Sequence, residues 1–108
     1  MPVKQIKLKF RYNVGWLKKT GIRGMVIWPY VLCAEPVEDV PDYLFRHELQ
    51  HVYQIIALGP LKFYLKYFWY SIRFRYDLNP FEDEAYNVQF NPLTDAEKEL
   101  KRWSTQNA

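Results

Sequence analysis

The stretch that most constrains this chain is Phe-Arg-His-Glu-Leu-Gln-His-Val-Tyr-Gln at positions 45–54, with His47 and His51 four residues apart and Glu48 between them. On an α-helix, residues four apart share one face about a turn apart, so the two imidazoles can converge on a single metal ion. Glu48 then lies beside that ion, where a carboxylate can take a proton from a metal-activated water and pass it to a leaving amine. At about 100° per residue, Phe45, Leu49, Val52 and Ile56 form an apolar stripe. His47 and His51 point away from that stripe among Leu44, Gln54 and Leu58, while Arg46, Gln50 and Tyr53 make a wetter third side. A helix buried on two faces is a central one, and its histidines face inward. The chain has no other histidine. Left unligated beside a buried glutamate, this pair would be costly to satisfy, which favours a metal over two core imidazoles.

The remaining sequence bounds what such a helix can belong to. A length of 108 residues supports one domain, and 49% hydrophobic with 25% charged residues excludes a disordered chain. Cys33 is the lone cysteine, so no disulfide framework exists within the chain. No apolar run is long enough to span a bilayer, and the opening residues lack the apolar core of a secretory signal, so a cytoplasmic protein is expected. Lys4, Lys7, Lys9, Arg11, Lys18, Lys19 and Arg23 all precede the first acid, Glu35. We read them as a solvated strand face, with nucleic acid not expected as a partner.

Taken in order, the chain predicts an α+β fold. A small antiparallel or mixed sheet from residues 1–34 packs on the metal-binding helix at 41–58, and further helices follow at 60–76, 80–90 and 94–103. Residues 3–12 alternate apolar and charged as a half-exposed strand, and 25–34 reads as a second strand, placed at a sheet edge or a bulge by Pro29. An edge strand beside a metal helix can bind an extended peptide by adding it as another strand. The 61–76 helix is crowded with rings, among them Phe63, Tyr64, Tyr67, Phe68, Trp69 and Tyr70. They are read as core, with peripheral contact to a membrane or a partner protein as the other reading. Asn79 and Pro80 start the next helix, where Glu82 is placed to close a capping box. Glu84 shares a face with Phe81 and Val88 that would carry it inward as a third metal ligand. The alternative for Glu84 is a surface acid favoured by the helix dipole.

With these residues in place, the chain resembles the gluzincin-type zinc metallopeptidases, and by size their minimal single-domain members, the minigluzincins. The likeness rests on His47-Glu48-Leu49-Gln50-His51 and on Glu84-Ala85 in a later helix. It implies that His47, His51 and Glu84 hold one zinc ion (Zn2+), that Glu48 is the catalytic general base and then acid, and that residues 25–34 border the cleft. Such enzymes add an oxyanion stabiliser, for which Tyr86, Tyr76, Arg73 and Arg75 are candidates. The large second domain of bigger relatives is missing, which implies a short or flexible peptide segment as substrate. A second likeness, to peptide deformylases, would make Cys33 the third ligand. A third reading is a non-catalytic protein whose metal holds the fold and whose 61–76 helix meets a membrane or partner. The helix at 94–103 is also placed to cover a cleft with so little wall of its own and to hold the enzyme latent.

Overall fold

A computed structural model describes residues 8–75 and 78–106. Within them the fold is α+β. Strand β1 (Lys9–Arg11) is followed by α1 (Gly15–Thr20), β2 (Gly24–Ile27), β3 (Tyr30–Cys33) and a 3-10 turn at Val37–Asp39. Four longer helices complete it, namely α2 (Asp42–Leu58), α3 (Pro60–Phe74), α4 (Pro80–Val88) and α5 (Asp95–Gln106). The sheet is mixed, in the order β1-β3-β2, with β1 parallel and β2 antiparallel to β3.

Of the alternation expected over 3–12, residues 3–7 lie outside the described residues, and the rest has the expected consequence. Leu8 and Phe10 are buried, whereas Lys9 and Arg11 are exposed and lie over the Tyr30 ring. The stretch 25–34 is not one strand, however. Trp28 and Pro29 form a two-residue hairpin turn joined by a cis peptide bond, and Ile27 pairs with Tyr30 across it. Proline cannot donate to a ladder, so the chain reverses there rather than running on. β3 thereby becomes the central strand, with Val31, Leu32 and Cys33 buried, and β2 becomes an edge.

Helix α2 is the axis of the molecule and packs against β2, α3 and α4. Its apolar stripe meets the sheet. Phe45, Leu49 and Val52 share one core with Phe10, Val31, Val40 and Leu100, and the Phe45 ring stacks on Phe10 at 5.9 Å. Gly59 ends the helix with φ of 88°, a backbone region that glycine enters at little cost. Pro60 then opens α3 at once.

α5 does not cover a cleft. Its Leu100 and Trp103 join the core around Phe10 and Phe45, Ser104 Oγ bonds Tyr12 Oη at 2.6 Å, and Lys101 Nζ donates to Val40 O and Asp42 Oδ1. Glu97 closes a capping box with Thr94 and accepts from Tyr53. Among the described residues, no helix is long and apolar enough to cross a membrane.

Candidate metal centre

Helix periodicity turns His47 and His51 to the side of α2 opposite its core stripe, where α4 crosses. There His47 Nε2 and His51 Nε2 lie 3.0 and 3.1 Å from one carboxylate oxygen, Glu82 Oε1. All three residues are buried, and their ligand atoms lie within 4.8 Å of one another.

The carboxylate at this position is Glu82, not Glu84. Asn79 explains the difference. Its side chain caps α4 by accepting from Phe81 N at 2.9 Å, while its amide donates to Tyr67 O and Ser71 Oγ near the end of α3. The cap thus fixes the rotation of α4 against α3 and leaves Glu82 without a capping duty. Glu82 and Ala85 turn inward, and Glu84, about 200° round the helix from Glu82, is exposed. Glu84 Oε1 accepts from Gln50 Nε2 at 2.6 Å and from Gln54 Nε2 at 3.1 Å.

That contact still reaches the centre. Gln54 Nε2 also donates to Phe81 O at 3.0 Å, so its carbonyl oxygen must be the atom facing His51 Nδ1 at 2.9 Å. His51 Nδ1 is therefore the donor, and in a neutral ring the Nε2 lone pair aims at Glu82. His47 Nδ1 meets Gln89 Oε1 at 2.9 Å in the same way, and Tyr67 Oη donates to Glu82 Oε2. Two lone pairs and a carboxylate oxygen that converge in a buried pocket repel one another unless protons or a cation lie among them. Two imidazole nitrogens and one carboxylate oxygen, each oriented from behind, suit zinc or a similar divalent ion.

Protons are the competitor. Burial lowers both imidazole pKa values, but the bonds to Glu82 and the nearby Glu48 charge outweigh it, and both are raised. Burial would lift Glu82, yet its bonds from His47, His51 and Tyr67 hold it well below the usual carboxylate range. A raised histidine contributes stability below its unfolded value, and this is lost as pH rises through its folded value. The metal-free protein should therefore lose this contribution above pH 6.5, the reference histidine value. Metal binding has the opposite sign, because two imidazolium protons must leave. Apparent zinc affinity should rise by up to about 100-fold per pH unit below the raised histidine values and then level off. Titration calorimetry below about pH 6.5 in two buffers of different ionisation enthalpy measures the released protons, and a value near zero there would remove the imidazoles from the binding site.

Glu48 lies beside the trio and accepts no hydrogen bond from any described residue. Burial raises its pKa to about 7, partly offset by His51 and His47. A carboxyl poised there can both take and return a proton near neutral pH. It faces a cleft of about 520 Å³ bounded by β2 on one side and by Phe63, Tyr64 and Tyr67 of α3 on the other. α3 thus forms the wall of the cleft opposite β2. Tyr64 ties the two sides together, donating to Val26 O at 2.8 Å and accepting from Trp28 N at 2.9 Å.

Gly24 of β2 lies against Glu48. A Cβ there would sit 3.0 Å from Glu48 Oε2 and 3.2 Å from Cδ, so only glycine leaves the carboxylate in place. Gly24→Ala should retain zinc but shift Glu48, with any hydrolytic activity lowered by less than the roughly 100-fold that a displacement of about 1 Å costs. Unchanged turnover in the alanine variant would mean that the position of Glu48 is immaterial.

The other predicted residues are dispersed. Tyr86 is half-exposed with its ring centroid 4.8 Å from that of His47. Arg73 and Arg75 are exposed on α3 and at its end, away from the residues lining the cleft, and Tyr76 lies outside the described residues. Cys33 is buried in the core with its thiol pushed up to about 12, chiefly by burial, and is not part of the ligand cluster. The sequence reading missed Glu82 as a ligand and the supporting Gln54, Gln89, Tyr67 and Gly24. The spacing of Gln54, three residues after His51, was the available signal, since it puts an amide one turn beyond a ligand on the same face. No protein-family model matches this chain, and no curated protein and no solved structure does.

Proposed function

We propose that this chain is a zinc-dependent metallopeptidase that hydrolyses peptide bonds with Glu48 as general base and then acid. One juxtaposition carries the reading. A buried His47, His51 and Glu82 trio arranged for a cation shares a cleft with a second buried carboxylate, Glu48, that accepts no hydrogen bond from any described residue. A purely structural metal would explain the trio and leave Glu48 as a desolvation cost that His51 and His47 relieve only in part.

When bound, the ion supplies Lewis-acid polarisation to a scissile carbonyl and to the attacking water. Glu48 takes a proton from that water and delivers it to the departing amine. Tyr67, Gln54 and Gln89 hold the ligands in orientation. Of the oxyanion candidates, Tyr86 packs on the His47 ring from outside the residues lining the cleft, so none is assigned that role. β2 offers edge backbone to an extended peptide, but Tyr64 already occupies Val26 O and Trp28 N, so pairing is confined to the Gly24 end. A cleft of about 520 Å³ suits a short or flexible segment. On this reading the chain would work as a gluzincin-type enzyme, with Glu82 in the role first given to Glu84. The buried, unpaired Cys33 fits a cytoplasmic setting.

The direct test is a mixed library of quenched fluorescent peptides with the zinc-loaded chain. Cleavage should stop with a chelator and return with zinc. A chain that binds zinc one to one and leaves the whole library intact would reduce the metal to a structural role.

A further inference from the structure

Helix α3 has two apolar faces, and the fold uses one. Phe63 and Tyr67 turn inward, packing on His51 and Phe81. On the opposite side, Leu61, Leu65, Phe68, Trp69 and Ile72 occupy an arc of about 100° and are 58–76% exposed. Lys62, Lys66 and Arg73 form one row along a flank of that arc, and residues 59–76 contain no acid.

An exposed apolar stripe of this extent marks an interaction surface, and its flank indicates the occupant. Leucine, phenylalanine and tryptophan bordered by cations are the composition of a helix that lies in a membrane interface. The cation row complements anionic headgroups. At 15 residues α3 is too short to span a bilayer, which leaves the orientation along its surface. A second copy docked through the same face would present the same three cations and no carboxylate, leaving the row without counter-charge.

We propose that α3 is a peripheral membrane anchor. Its outer stripe enters the headgroup and acyl boundary of an anionic bilayer, and Lys62, Lys66 and Arg73 meet lipid phosphates. The inner face of the same helix walls the cleft, so docking holds the candidate metal centre within roughly one helix diameter of the lipid.

Flotation of the full chain with vesicles of phosphatidylcholine alone, or mixed with phosphatidylglycerol, tests this without any metal and independently of the peptidase reading. The chain should float with the anionic vesicles, at least about tenfold more weakly with the neutral ones, and less at high salt. Leu65→Gln with Ile72→Gln should abolish flotation. Both side chains are already exposed, so an unchanged melting temperature would show the fold intact. Lys62→Gln, Lys66→Gln and Arg73→Gln together should weaken anionic binding by about fivefold per charge removed. Absence of binding to either vesicle would overturn the proposal, as would equal binding to both that neither variant alters. A dimer in analytical ultracentrifugation that Leu65→Gln with Ile72→Gln disperses would give the face to a second copy and overturn it as well.

Discussion

Glu48→Gln should leave zinc binding at one ion per chain and lower peptide hydrolysis by about 10²- to 10⁴-fold, the range of a lost general acid and base. The amide preserves shape and polarity but can neither take a proton from water nor return one. His47, His51 and Glu82 do not depend on Glu48 for their hydrogen bonds, so the metal should stay. The same substitution has a second readout in the metal-free protein. Burial raises the Glu48 carboxyl to about 7, above its unfolded value, so its ionisation opposes folding. That cost is absent below the unfolded value of about 4.3, grows as pH rises and is complete above about pH 7. Glutamine removes it. The melting temperature of the metal-free variant should therefore exceed that of the parent at pH 8, with the gap closing towards pH 4. Stability exchanged for reactivity at one residue is the pattern expected of a functional site. Hydrolysis by Glu48→Gln at the parent rate would remove Glu48 from the chemistry whatever the melting curves show.

The parts of this fold that sequence could reveal are those set by local spacing. The α2 helix, the burial of Phe45, Leu49 and Val52 and the inward turn of His47 and His51 all follow from one helical period and are observed, whereas Ile56, the last residue of the predicted stripe, is exposed. The alternation of Leu8 and Phe10 against Lys9 and Arg11 is equally local. The hairpin at 24–33 escaped because Trp28-Pro29 carries none of the glycine or asparagine that usually marks a two-residue turn, and apolar residues run through it. The docking of α5 escaped for a different reason. Its anchors, Tyr12 to Ser104 and Lys101 to Val40, join positions 92 and 61 residues apart, and no periodicity encodes such a pairing. The third ligand failed on phase. Glu82 and Glu84 both lie in the first turns of α4, and the choice between them depends on how Asn79 bonds Tyr67 and Ser71 across from α3.

That choice yields the sharpest distinction among single substitutions. Glu82→Gln should bring zinc retained after dialysis from one ion per chain to near none, with affinity reduced by more than about 100-fold, beyond what loss of an outer partner typically does. The variant should still fold, since its amide can accept from Tyr67 and donate towards the imidazole Nε2 atoms that Glu82 now faces. Glu84→Ala should keep its zinc. It removes one acceptor from Gln54, but Gln54 retains Phe81 O and with it the orientation of its carbonyl towards His51 Nδ1. The expected loss is at the lower end of the 10- to 100-fold range for an outer partner. Metal analysis of both purified variants beside the parent, with circular dichroism to confirm folding, reads the difference directly. Loss from Glu84→Ala with retention by Glu82→Gln would mean that α4 sits in another rotation, with Glu84 rather than Glu82 against the imidazoles, and equal loss from the two would mean that the Glu84 bond to Gln54 matters to the ion as much as the ligand itself. Retention by both would mean that the two histidines hold the ion without α4, and the buried carboxylate would then have to be explained by the protonated imidazoles alone.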